Sequence, residues 1–297
     1  VSAQDDRNPL TVVSPRSRRR KLQGRVMELL ASVAALVAIV VLLIVIFSVA
    51  KRGLPAVNAD LFTQVAAPFG VEGGGIKNAI IGTLIMTAMA TAMAVPIGVL
   101  LAIFDTEFAS PQVSVAIRMT LNVLAGVPTI VIGIFIFGLV VVSNGQSAFA
   151  ASIALAIIIL PVIARATEEV LLLVPSTLRE GSMALGATRA RTVVSVILPS
   201  AFGGIVTATI VGVARAAGET APILFTSSIF ANAVVTDPSQ PMASMPFAIF
   251  TNSESPSHHD QQVAWAAALL LMAFVLLGSI TGRLLSLRTR RQIEQMR

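Results

Sequence analysis

Apolar residues run along this chain in long blocks separated by short polar stretches. The blocks show neither the one-sided stripe of a soluble helix nor the alternation of a half-buried strand. Each is long enough to cross a bilayer as a helix, which takes about 20 apolar residues. The pattern predicts an all-α integral membrane protein with six transmembrane helices. The first span is 26–50, and a core of 76–287 holds the others at about 76–104, 113–142, 148–174, 199–231 and 263–287. Polar segments lie between and around them: a tail at 1–25, loops at 51–75, 175–199 and 232–262, and a tail at 288–297.

Breaks within this pattern predict local geometry. Pro96 marks a kink in the second span, and Asp105-Thr106-Glu107 closes it in a short turn. Arg118 lies near the start of the third span and Pro128 inside it, while Pro161 interrupts the fourth. Ser143–Ser147 is a neutral turn. The triplet Gly73-Gly74-Gly75 follows no strand and precedes no Lys-Ser/Thr pair, so a flexible lead into the second span is expected rather than a phosphate cradle. Trp265 is expected to anchor the start of the sixth span at the interface.

Composition and charge narrow the class. Hydrophobic residues make up 55% and charged residues 12%, too apolar a balance for a water-facing globule. The absence of cysteine excludes a disulfide framework, a thiol nucleophile and a thiolate metal site. His258-His259-Asp260 is a poor chelator without further ligands, so no metal is expected. The net charge of +6 comes from basic residues beside the spans, without aromatic interleaving, which argues for membrane topology and against nucleic acid. The N-terminal tail, the 165–199 region and the C-terminal end from Arg283 hold seven, four and five Lys/Arg, whereas the 143–147 and 232–262 loops hold none and the 51–77 loop holds three. Both termini are therefore expected in the cytoplasm, which six spans satisfy. The basic run ending at Arg25 precedes an apolar block too long for a signal peptide, so 26–50 reads as an anchor helix.

Two charged stretches carry candidate chemistry. In the 175–199 loop, Thr177 and Glu180 stand at capping-box spacing for a helix starting at Leu178. Gly186 is placed to end that helix with a positive φ, and Pro199 suits the first turn of the next span. A second helical run places Val193, Val194 and Ile197 on one face, with Arg189 and Arg191 near its start. The stretch reads as a docking element hung between two spans.

The other stretch lies inside the fifth span. Arg215 and Glu219 are four residues apart among alanine and glycine, roughly 24 and 30 Å along a helix from Pro199. Exposing either to lipid costs at least about 2.5–3.5 kcal/mol, so they are expected to face protein or a wet pathway. Pro222 is expected to bend the helix just beyond them by leaving the Gly218 carbonyl unbonded. A guanidinium beside a carboxylate suits an oxyanion, and a purely structural ion pair is the alternative. Arg165, Glu168 and Glu169 close the fourth span, where Arg165 and Glu169 could pair at i,i+4 or form a solvated helix end. An intramembrane enzyme with Glu219 as its base would need a second polar cluster, which the sequence lacks. A passive channel or scaffold would leave the docking loop unexplained. There is no Walker A motif and no plausible Ser-His-Asp set, so no ATPase site is expected in this chain.

The loop resembles a known signature. Glu180, Gly186 and Leu198-Pro199 keep the spacing of the cytoplasmic loop of ABC importer permeases, with Gly181 and Ser182 in place of two alanines and Val196 in place of isoleucine. The words Val127–Gly133, Leu160–Glu169 and Ala214–Pro222 resemble the phosphate-specific permeases of the PstA type. The resemblance implies a type-I importer permease fold with a coupling helix between spans 4 and 5. Its coupling residues would be Glu180, Gly181, Ser182, Gly186, Leu198 and Pro199. Arg215, Glu219, Thr220 and Pro222 would line the substrate path, and Arg165, Glu168 and Glu169 would serve gating or ion pairing. It further implies a bacterial plasma-membrane heterodimer with a sister permease, two cytoplasmic ATPase subunits carrying ATP and Mg, and an extracytoplasmic phosphate-binding protein. Permeases for molybdate, sulfate or phosphonate are the nearest alternative.

Overall fold

The computed structural model describes residues 15–68, 71, 73–229 and 232–295, without the side chains of 15–18, 20–22 and 285–295. Residues 1–51 and 52–297 form separate units. The first unit is helix α1, Pro15–Gly53, which runs on into the start of the second. Its apolar window falls within Gln23–Ala56 and contains no buried residue. The part of the expected tail that is described, from Pro15, is thus already helical, because Arg, Lys and Leu are good helix formers.

The second unit opens with helix α2, Ala59–Thr63, capped by Asn58, whose Oδ1 accepts the Leu61 N–H at 2.9 Å. The glycine triplet after it is a fixed turn, not a flexible lead. Gly74 takes φ +83° and pairs with Ala66 in an isolated antiparallel bridge, while Gly75 sits so close to the Asp60 and Leu61 carbonyls that no Cβ would fit. Helix α3, Lys77–Ile103, continues into a π-helical turn at Phe104–Phe108.

The third span is not one rod. Helix α4, Pro111–Gly126, ends before Pro128, and α5, Thr129–Ile136, leads through a π-helical turn at Phe137–Val141 into α6, Val142–Asn144. The segments before and after the break meet at 92°. Val127 is extended, as a residue before proline favours, so the helix cannot continue across it. Pro161, by contrast, does not interrupt α7, Ala148–Leu172. It is buried in the middle of a helix held on all sides, and tertiary packing outweighs the lost hydrogen bond.

Helix α8 is Ser176–Ala184. The fifth span begins at α9, Arg189–Thr192, rather than at Pro199, and passes through a π-helical turn at Val193–Ile197 into α10, Leu198–Gly218. Val193 and Ile197 are buried there but Val194 is 65% exposed, so the three do not share a face. Helix α11 is Ala221–Thr226, α12 is Met245–Ser253 inside the expected 232–262 loop, and α13, His258–Gln295, starts before the expected Val263. Among the described residues five helices are long and apolar enough to cross a membrane, and six spans result if the bent pair counts as one.

Helix α7 is the axis of this unit, packed by α3, α10 and the start of α11. Fully buried Ile163 wedges between glycines of two neighbours: a Cβ at Gly98 would stand 3.1 Å from its Cγ2, and one at Gly212 2.8 Å from its Cγ1. Lipid gives helices no hydrophobic drive to associate, so close approach over small residues must supply the van der Waals contact. The other end of α7 is fixed by hydrogen bonds. Ser147 Oγ accepts the Ala150 N–H, and the carbonyls of Thr226, Gln240 and Pro238 accept those of Ser147, Ala148 and Phe149. All four orphan amides of the helix start are thereby satisfied. Asp237 braces this turn by accepting from the Ser239 N–H and hydroxyl, which hold its carboxyl below the usual range.

Candidate substrate path and docking element

Arg215 lies in the last turn of α10, where a cation complements the negative helix end. The helix stops at Gly218, and Glu219 is its extended C-cap, with φ −75° and ψ 124°. The break therefore falls at Glu219 itself rather than beyond it. Gly218 is a weak helix residue, and Pro222 cannot donate to its carbonyl, so both disfavour continuation. Arg215 Nε donates to Glu219 Oε1 at 3.3 Å, and the two side chains are 46% and 16% exposed. Thr220 leads into α11, its carbonyl accepting the Leu224 N–H at 3.2 Å. Pro222 is buried against Gly133 of α5, where a Cβ would stand 2.7 Å from Pro222 Cα. The two helix breaks, after Gly126 and after Gly218, thus lead into segments that pack on each other.

The docking element departs from its expected start. Helix α8 begins at Ser176 behind Pro175, so Thr177 is in the first turn and makes no capping box with the exposed Glu180. Proline at the cap position has no side-chain acceptor, and its geometry sets the helix going two residues early. The C-terminal expectation holds: Gly186 has φ +86°, its N–H reaches Met183 O at 2.9 Å, and the Ala187 N–H reaches Ser182 O at 3.2 Å. This is the paired hydrogen-bond closure of a helix ended by a left-handed glycine. Gly181 is exposed, and Ser182 Oγ lies 2.9 Å from Thr192 Oγ1, tying α8 to α9. Leu198 is half-buried in the fifth span and Pro199 is exposed. Leu185, 91% exposed, projects from the turn.

A charged cluster lies where α3, α4 and α7 converge near the docking element. Arg165 does not pair with Glu169, which is exposed; it approaches buried Glu168 at 3.9 Å and also bonds Asn122 Oδ1 and the Arg118 carbonyl. Arg118 Nε bridges Glu168 Oε1 at 2.9 Å and Asp105 Oδ2 at 3.2 Å. Nearby, Arg179 binds Glu107 at 3.0 Å. The reading of the sequence left Asp105, Glu107, Arg118 and Arg179 without roles, although acids closing one span and arginines opening the next were a usable signal. At the opposite end of the unit, Arg52 lies 4.9 Å over the Trp265 ring, so Trp265 is a packing partner. Asp260 accepts the Ser255 hydroxyl at 2.6 Å, and among the described residues no group of three or more His, Cys, Asp or Glu could hold a metal.

An apolar helical core with several helices long enough to cross a membrane, one candidate span sharply bent, describes an integral membrane protein. Residues 94–291 match the family described as binding-protein-dependent transport system inner membrane component, and the chain belongs to that family. Within it the chain is a permease of the PstA type. It is 37% identical over 268 residues to the phosphate transport system permease protein PstA of Pasteurella multocida, covering 89% of this chain and 95% of that one. To the probable phosphate transport system permease protein PstA of Methanocaldococcus jannaschii it is 36% identical over 258 residues, covering 86% and 91%. Among solved structures, the inward-facing MetNI methionine ABC transporter matches 72% of this chain and 95% of its own with TM-score 0.57 and 20% identity. A bacterial ABC transporter importing the acidic polysaccharide alginate matches 90% and 99% with TM-score 0.55 and 16% identity. These two speak to the fold alone.

Proposed function

We propose that this chain is the membrane-spanning permease of an ATP-driven importer that moves inorganic phosphate into the cytoplasm by alternating access. The observation that carries the chemistry is Arg215. Its Nε is engaged by Glu219, while its terminal nitrogens have no carboxylate partner among the described residues and nearly half the side chain is open. A guanidinium held by one edge presents its other donors to a passing oxyanion. Glu219 adds selectivity by accepting a hydrogen bond from an anion that still carries a proton. Phosphate near neutral pH does so, whereas sulfate and molybdate do not. The names of the PstA relatives point to the same substrate. Thr220 and Pro222 hold the break in place beside them.

In this reading ATP and Mg²⁺ act on separate ATPase subunits and this chain contributes no nucleotide site. Glu180, Gly181, Ser182 and Gly186 form the contact with an ATPase subunit, with Leu198 and Pro199 setting the return into the membrane. Both termini face the cytoplasm, a sister permease completes the path, and an extracytoplasmic binding protein delivers phosphate. ATPase activity of the reconstituted complex should be stimulated by phosphate-loaded binding protein, with little response when sulfate or molybdate replaces phosphate. Equal stimulation by all three would remove phosphate selectivity.

A further inference from the structure

Helix α8 buries none of its own residues, so apolar packing does not fix its direction against the bundle. Polar contacts do: Ser182 ties α8 to Thr192 of α9, and Arg179 ties it to the ends of α3 and α7. The Arg179 guanidinium reaches three residues: Nε and Nη2 meet Glu107 Oε1 at 3.0 Å, Nη1 donates to Val174 O at 2.6 Å, and Nη2 donates to Leu171 O at 2.8 Å. Glu107 is buried in the π-helical turn that follows α3; the Leu171 carbonyl, in the last turn of α7, also accepts the Val174 N–H, and the Val174 carbonyl lies in the link from α7 to α8. Directly beside it, Leu171, Val174, Ala102 and Ile103 form an apolar layer with Val193 and Ile197. A charged donor enclosed by a buried carboxylate and two carbonyls forms hydrogen bonds stronger and more directional than neutral ones.

We propose that Arg179 is the positioning residue that makes α8 move as one body with the ends of α3 and α7. This rests on the reading of α8 as the ATPase contact and goes beyond it, naming the clamp that passes a displacement of α8 to the spans lining the core. Glu107 is its fixed partner. Lysine can satisfy Glu107 but cannot reach both carbonyls at once, because a point charge lacks the planar fork.

The test uses the whole reconstituted complex and reads phosphate delivered per ATP hydrolysed, together with complex yield. Arg179→Gln and Glu107→Gln should each lower that ratio by about tenfold, a typical size for a residue that carries coupling between sites, with Arg179→Lys in between and yield unchanged. A purely architectural role would lower yield and total activity in step and leave the ratio at the parental value, which would overturn the proposal. A parallel arm separates this from the docking reading. A cysteine replacing exposed Leu185, in a chain with none of its own, should cross-link to the ATPase subunit in both the Arg179 parent and the Arg179→Gln complex. Failure to cross-link in the parent would sink the docking reading; cross-linking with an unchanged ratio would sink only the clamp.

Discussion

Two groups of charges sit in this apolar chain, and they are built in opposite ways. At the end of α10, one arginine meets one carboxylate through a single contact, and the arginine is 46% exposed. Where α3, α4 and α7 converge, two arginines, Arg118 and Arg165, share two carboxylates, and both are buried: Asp105 and Glu168 are 6% and 5% exposed. Burying a charge is tolerable only when its hydrogen bonds are filled from within the protein. In the second group each carboxylate meets at least one arginine, and Arg165 also donates to Asn122 Oδ1 and the Arg118 carbonyl, while buried Asp105 Oδ1 keeps no hydrogen-bond partner. The first group leaves donors open at a place where the helix has already stopped. Density of partners therefore separates an architectural cluster from a site that can accept something.

The largest effect expected from that contrast is at the open pair. Arg215→Gln combined with Glu219→Gln should leave the complex assembled while phosphate uptake falls about 10- to 100-fold, as loss of a charged hydrogen bond worth roughly 1.5–3 kcal/mol implies. Arg215→Lys should recover part of it. Parental uptake by the double variant would make this pair structural too and erase the contrast.

Changes in the closed cluster should act on stability instead. Glu168→Gln leaves Arg118 and Arg165 without their shared charge and should cost about 2 kcal/mol, below the range for fully buried pairs because both arginines are partly solvated. Thermal unfolding of the purified complex measures this. Uptake per assembled complex should stay near the parent, and a selective loss of uptake with unchanged melting would move Glu168 to the substrate path.

A smaller effect sharpens the boundary of the docking element. Gly186→Val forces a β-branched residue into φ +86° and should cost about 1 kcal/mol or slightly more. Less ATPase subunit should be recovered when the complex is pulled down. Undiminished recovery with normal transport would show that the turn tolerates distortion and plays no part in docking.

The residues that could be read ahead of the structure share a property: their meaning is local. Apolar block length decides which segments are long enough to cross a membrane, though the helix of the fifth span runs Arg189–Gly218 where 199–231 was expected. Gly186 was legible because a short polar helix before a return to the membrane requires a left-handed residue at its close. Arg215 and Glu219 stood out because charge in an apolar block is costly wherever the block is placed. The early start of α8 was missed because two cap arrangements compete there, and Pro175 won over the Thr177–Glu180 spacing.

What only the tertiary structure decided is which distant residues meet. Proline alone could not tell an uninterrupted helix at Pro161 from a 92° break at Pro128, because Pro161 is buried among α3 and α10 while Pro128 is exposed. The i,i+4 rule favoured Glu169 for Arg165, but the inward face of α7 presents Glu168, and Arg118 from another helix completes the pairing. Arg179 gained a role only once Glu107, 72 positions away in the chain, was brought beside it. The sequence by itself determined that the chain crosses the membrane, where it carries charge and where its polar loop turns back, since those follow from transfer free energy and local backbone limits. Partners depend on packing between helices, and there the small residues, the wedge of Ile163 and the shared acceptors decide.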